Sequence, residues 1–360
     1  MKIGLVVYGS LEAVTGGNVY DRMLVSHLRA RRDEVEIISL QKRSYVGNLA
    51  DNLSVTLPAD VDILLQDELA HPSLLIPNTR RRPYPVVSIV HNLHSSERRP
   101  RWQNAAYRLI EKRYAESVDG LVFNSSATLD SVRIGLGVKK RFIIAPPGGN
   151  RLGSWTGEGV RARAFEDGPL RIIFLANVTA LKGLHVLLDA LALLPHDRFE
   201  LDVVGSCEME PAHGQAMQQQ AARLGARVIF QGVLDSNPLI ERLKHAQVMV
   251  IPSYYEGFGI AYLEGMAFGL PAIGTAAGAV PEMISPGVNG YLIEPGDSES
   301  LAKRLNALDS DRNGLARMSD SALHYFKSRP TWDESADSIR EFLLILLGGH
   351  MLKGSEGRAQ

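Results

Sequence analysis

A chain of 360 residues is too long for one ordinary core, and 45% hydrophobic with 22% charged residues is a globular composition, so two domains are expected. The net charge of −1 is unevenly spread: residues 1–150 hold 20 Lys+Arg against 15 Asp+Glu, and residues 151–360 hold 19 against 25. So small a basic excess in the first half fits an anionic acceptor or membrane surface and excludes nucleic acid as a partner, while the single cysteine, Cys207, excludes an internal disulfide and reads as a packed thiol in a reducing cytosol.

The opening MKIGLVVYGS has too short an apolar run for a signal peptide or a membrane span, as has 342–347, so a cytoplasmic protein is expected. Strand-length apolar runs follow at 3–8, 35–40, 61–65, 85–91, 120–124 and 141–145, and again at 170–176, 199–205, 227–232, 248–252, 271–275 and 290–293. Continuous rather than alternating Val/Ile/Leu runs predict strands buried on both faces, as in parallel sheets. Between them lie amphipathic helices. Residues 19–31 put Val19, Met23, Leu24 and Leu28 on one face, and 184–194 do the same with Leu187, Leu188, Leu191 and Leu194. The pattern predicts doubly wound α/β structure, present twice. The join is expected at 147–169, a hinge-like stretch from Pro147-Gly148-Gly149 to Gly168-Pro169, leaving domains at 1–150 and 170–330. Ligands of open α/β sheets bind beyond the carboxyl ends of the strands, so two such domains are expected to face each other across a cleft. The polar, glycine-rich 348–360 is expected to be disordered.

The most informative stretch is Ser253-Tyr-Tyr-Glu256-Gly-Phe258-Gly259-Ile260-Ala-Tyr-Leu-Glu264, where a strand end passes through a glycine turn into a helix. A helix N-terminus offers free N–H groups and partial positive charge, enough to hold a diphosphate without a metal. Glu256 and Glu264 flank that start, suited to the hydroxyls of a sugar and a ribose. By itself the pattern also reads as an ordinary helix start, since the dipole alone favours glutamate there. Taken alone, Lys182 reads as a surface charge and His91 as a core histidine. His91 and His94 follow a strand with no neighbouring cysteine or carboxylate cluster in sequence, so no metal is expected.

Glu256, seven residues, then Glu264, within EGFGIAYLEGMAFGLP, resembles the most specific motif of glycosyltransferase family 4, retaining enzymes of the GT-B fold. The resemblance covers nearly the whole chain. Thr15-Gly16-Gly17-Asn18 resembles the family's glycine loop, Val90-His91-Asn92 its histidine strand end, and 177–183, ending Lys182-Gly183, its phosphate clamp. Gly278-Ala-Val-Pro281-Glu282 and Asn289-Gly290-Tyr291-Leu292 resemble further landmarks, and Trp332 opens a last helix, to about 347, that in this fold returns to the first domain. The resemblance implies that Glu256 contacts the donor sugar, Glu264 the ribose and Lys182 the diphosphate. It places His91 beside the transferred sugar, with Gly16, Gly17 and the amides of Phe258, Gly259 and Ile260 at the phosphates. It further implies a UDP- or GDP-sugar donor, a sugar or lipid-linked acceptor, and no metal or other cofactor. Three positions depart from the family: Ala176-Asn177 replaces Gly-Arg and removes a cation, His91-Asn92 replaces His-Asp, and Pro146-Pro147-Gly148 replaces Pro-Asn-Gly.

Retention without an evident enzymic nucleophile suggests front-face substitution, with glycan, glycolipid or polysaccharide synthesis as the setting. Another GT-B activity, such as a sugar-nucleotide epimerase or phosphorylase, and a non-catalytic two-domain binding protein are the alternatives. Arg80-Arg81-Arg82, Arg98-Arg99, Arg101, Arg108, Lys112 and Arg113, interleaved with Trp102, Tyr107 and Leu109, predict a weak contact with anionic lipid; a solvated helix face reads from them equally well.

Overall fold

The computed structural model describes residues 1–12, 15–97, 99–224 and 227–356. Arg98, part of the basic run, and 357–360 of the tail lie outside them. The described chain forms two units, Met1–Pro147 with Pro330–Gln360, and Gly148–Arg329.

The first unit runs β1 (Lys2–Tyr8), α1 (Gly16–Ala30), β2 (Glu34–Leu40), α2 (Tyr45–Ala50), β3 (Ile63–Asp67), β4 (Val86–Val90), α3 (Arg101–Ser117), β5 (Gly120–Phe123), α4 (Ser126–Asp130) and β6 (Arg141–Ile144). Its strands pair in parallel in the order β2-β1-β3-β4-β5-β6. The central β3 and β4 are buried at every residue, the polar Gln66, Asp67 and Ser88 included, whereas the edge strands β2 and β6 are partly exposed, as in a parallel sheet covered on both faces.

The second unit runs α5 (Gly157–Ala164), β7 (Leu170–Leu175), α6 (Leu184–Ala192), β8 (Phe199–Val204), α7 (Pro211–Ala222), β9 (Val228–Gly232), α8 (Ser236–His245), β10 (Val248–Val250), α9 (Ile260–Ala267), β11 (Ala272–Thr275), β12 (Gly290–Ile293), α10 (Ser298–Ser310) and α11 (Arg312–Lys327). The sheet order is β12-β11-β10-β7-β8-β9, again parallel.

The stretch expected to be a hinge contains α5. Thr156 caps it, Glu158 and the pair Arg161/Arg163 complement its dipole, Val160 is fully buried, and Ala164 enters the second unit's core. Buried Arg163 donates to the carbonyls of Leu243 and Lys244 in the last turn of α8 and of Gly269 just past α9, which their own helices leave unpaired.

The last helix, α12 (Trp332–Glu356), packs within the first unit. Buried Trp332, Ala336, Ile339, Leu343 and Leu346 recur at helical spacing. His27 bonds Asp333 at 2.7 Å and Asp337 at 2.8 Å, and Arg340 donates to Asp33 at 2.6 Å. The helix continues well past residue 347, so 348–356 is not the disordered tail expected from its glycines. No proline follows to stop it, and each interior glycine costs only about 1 kcal/mol.

Candidate active site

In the second unit, strand order reverses between β7 and β10, the place where an open α/β sheet leaves a crevice at its strand ends. Lys182 arrives there on the segment after β7, and Glu256 on the loop after β10. Lys182 Nζ donates to both Glu256 oxygens, at 2.7 and 2.9 Å, and Ser253 Oγ donates to Glu256 Oε1 at 2.6 Å. Two glycines make this meeting possible. Gly183 has φ +72°, and a Cβ there would strike the Pro252 carbonyl oxygen, so the Lys182 turn can lie directly on the β10 loop. Gly278, at φ +60°, lies so close to the Glu256 carbonyl that a side chain would collide with it, and Ala279 N donates to that carbonyl at 2.9 Å. The landmark at 278–282 is therefore the rear support of Glu256.

Gly259 precedes α9, whose N-terminus no side chain caps. Phe258, Gly259 and Ile260 thus bring main-chain amides to that helix start, beside the Glu256 loop. Glu264, in the second turn of α9, is 5% exposed. Burial raises its pKa, and the guanidinium of Arg151 partly opposes the rise through Nε at 2.8 Å and Nη2 at 2.7 Å, both on Oε1. Asn177 Oδ1 accepts from Ser206 N at 3.0 Å and its Nδ2 approaches Met209 Sδ at 3.2 Å, which ties the β7 end to the β8 end.

A second cluster occupies the corresponding place in the first unit, where order reverses between β1 and β3. Thr15 caps α1, Gly16 and Gly17 are its first residues, and Gly17 rests against the His91 ring. His91, just past β4, places Nε2 3.0 Å from Asp21 Oδ1, and Asn124 Nδ2 donates to its carbonyl at 3.1 Å. Burial would lower the His91 pKa, but Asp21, Asp67 and Glu68 outweigh it and raise it to about 9, so the ring is an imidazolium at neutral pH. Burial, then the Asp21 charge, raises the Asp67 pKa.

The folded chain supplies the carboxylates missing from the sequence neighbourhood of His91. Ligand-type atoms of Asp21, Asp67 and His91 lie within 4.8 Å of one another, as do those of Glu68, His71 and Glu111, and among the described residues these are the groups that could hold a metal ion. In each group the imidazole already has protein partners: His91 Nε2 lies 3.0 Å from Asp21 Oδ1, and His71 engages the Glu68 carbonyl at 2.9 Å and the Tyr45 hydroxyl at 2.8 Å.

Arg151, Ser253, Asp21 and Asp67 escaped the sequence analysis. Asp21 had a signal: it shares the buried face of α1 with Leu24, Val25 and Leu28, where an unpaired acid is costly. Asp67 had another, directly after an apolar strand. Arg151 sits in the glycine-rich stretch taken as linker, where local pattern carries none.

Residues 159–324 match the family model described as glycosyl transferases group 1. D-inositol 3-phosphate glycosyltransferase of Streptomyces griseus is 30% identical over 264 residues, covering 69% of this chain and 55% of the relative. An uncharacterized glycosyltransferase of Methanocaldococcus jannaschii is 30% identical over 179 residues, 49% of this chain and 45% of the relative. The chain thus spans about half the length of these curated relatives. Among solved structures, sucrose-phosphate synthase from Thermosynechococcus elongatus is similar at a TM-score of 0.83 and 19% identity, over 97% of this chain and 99% of the other. The Anabaena protein HepE, solved with UDP-glucose, is similar at 0.75 and 20%, over 96% and 100%. Together with the two parallel sheets, these likenesses give the fold as GT-B.

Proposed function

We propose that this chain, a GT-B fold bearing a group 1 glycosyltransferase segment, is a retaining transferase of the family 4 type, moving a sugar from a nucleoside diphosphate to an acceptor hydroxyl. The observation that carries this reading is the Lys182–Glu256–Ser253 cluster, set at a strand-order reversal beside an uncapped helix start and inside the matched segment. In the free protein Glu256 holds Lys182 in place. When donor binds, the ammonium turns to the diphosphate and Glu256 to the sugar hydroxyls, while Glu264 takes the ribose through the oxygen that Arg151 leaves open. UDP-sugars are the first donors to try, since HepE was solved with UDP-glucose.

The bond from C1 to the diphosphate breaks as the acceptor oxygen bonds C1 from the same face, and the acceptor proton passes to a leaving-phosphate oxygen. Charge builds on that phosphate, so the protein's contribution is orientation and fixed positive charge: Lys182 and the amides near Ile260. Those groups supply what a metal would otherwise provide, so turnover is metal-independent. The acceptor is a sugar or lipid-linked alcohol of glycan, glycolipid or polysaccharide assembly.

The test is incubation with donor in the presence and absence of acceptor, followed by NMR of the new anomeric centre. Retained configuration with acceptor present is the expected result. An inverted linkage overturns the mechanism, and conversion of the donor with no acceptor present indicates an epimerase instead.

A further inference from the structure

Helix α3 has two unlike faces. Inward, Glu111 accepts from Ser95 N at 3.1 Å and Oγ at 2.5 Å, and the Tyr114 hydroxyl donates to Ser88 Oγ at 3.0 Å, fixing the helix on the first unit's core. Outward, Trp102 is 72% exposed and Leu109 54%, with exposed Ala105 and Ala106 between them. At about 100° per residue these four form one stripe two turns long. Arg101, Arg108 and Lys112, all exposed, line one flank of it, and Arg113 closes its C-terminal end. Glu116 is the one acid on this outer face, and Lys112 lies 3.9 Å from it.

Scattered apolar side chains on a surface call for no explanation, but a tryptophan and a leucine aligned on one helix stripe and edged by cations do.

We infer that the outer face of α3 is an in-plane docking surface for an anionic phospholipid bilayer. Trp102 and Leu109 enter the boundary between headgroups and acyl chains, while Arg101, Arg108, Lys112 and Arg113 stay at the phosphates, their aliphatic stems lying along the apolar layer. Charge complementarity selects an anionic surface, and the apolar centre of the stripe selects a bilayer over a soluble polyanion. Among the described residues no helix is long and apolar enough to cross a membrane, so the contact lies along the surface. This inference is independent of the glycosyl-transfer reading.

The test uses the full chain and sedimentation with vesicles of phosphatidylcholine alone or mixed with phosphatidylglycerol, over a salt series. Binding to the mixed vesicles at low salt is expected, with a blue shift of tryptophan emission, since Trp332 is buried and Trp155 partly so. Trp102→Ser with Leu109→Ser should remove the blue shift and weaken binding at least tenfold. Arg108→Glu with Lys112→Glu should weaken it by about fivefold per cation lost, or more. Unchanged melting temperatures show that these surface variants fold. Absence of binding to the mixed vesicles overturns the inference. So does binding indifferent to Trp102→Ser with Leu109→Ser, which marks a polyanion contact, and so does loss of self-association in that variant without vesicle binding, which marks an interface between copies.

Discussion

Replacing Lys182 by alanine separates its two proposed roles, because stability and turnover should respond differently to a second substitution. The Lys182 side chain is 28% exposed and that of Glu256 is 9% exposed, so the pair is largely shielded from water. Removing only the cation leaves a nearly buried carboxylate with Ser253 Oγ as a remaining donor. Breaking a fully buried pair by removing one partner costs about 3–5 kcal/mol, and the water that reaches Lys182 puts the expected loss near the lower end, about 3 kcal/mol. Glu256→Gln on that background removes the stranded charge, so most of the lost stability should return. Activity should not. Lys182→Ala loses a donor to the charged transition state and should slow turnover by roughly 10²–10³-fold, and the double variant should be no faster. Urea unfolding followed by circular dichroism, with turnover at saturating donor, reads both quantities. Equal stability of the single and double variants would refute the buried pair, and a turnover loss below about tenfold would refute Lys182 as the principal cation.

Glu264→Ala should raise donor KM roughly ten- to hundredfold, from the roughly 1.5–3 kcal/mol of a charge-assisted hydrogen bond, with little change in kcat. A donor lacking ribose hydroxyls should lose far less, and equal losses with both donors would rule out the ribose contact. Glu256→Gln, beside the reacting sugar, should instead lower kcat with either donor. Asp21→Asn removes the nearest carboxylate sustaining the His91 charge, so the His91 pKa, followed by NMR titration, should fall from about 9; an unchanged value would show that Asp21 does not sustain it. The linked stability has a definite sign. His91's folded pKa lies above its ordinary 6.5, so its contribution is full below about pH 6.5 and is lost as pH rises through about 9. Arg163→Met should cost about 3 kcal/mol, measured by urea unfolding, because it strands buried carbonyls of Leu243 and Gly269.

The strands of both sheets were legible in sequence within a few residues, because strands shielded by helices on both faces leave long apolar runs. Glu256 and Glu264 were singled out through one motif and Lys182 through another, at 177–183. Their partners were not: Ser253 reads as an ordinary loop residue, and Arg151 meets Glu264 from 113 positions away. The Asp21–His91 pair spans 70 positions, and only strand order makes those segments neighbours. Helix α5 was missed because its glycines read as linker; Thr156 and the buried Val160 and Arg163 outweigh them. The continuation of α12 was missed for a related reason, since Gly348, Gly349 and Gly354 lower helix propensity without ending a helix already anchored over its first turns.

Donor binding by the second unit is tested most directly by thermal unfolding of wild type and Lys182→Ala with UDP-, GDP- and ADP-sugars, since a ligand of the folded state raises its melting temperature. Glycosyl transfer as proposed predicts that one nucleotide family stabilises the wild type at millimolar concentration and that Lys182→Ala loses most of that gain. No shift with any nucleotide sugar, or the same shift in both proteins, would contradict it.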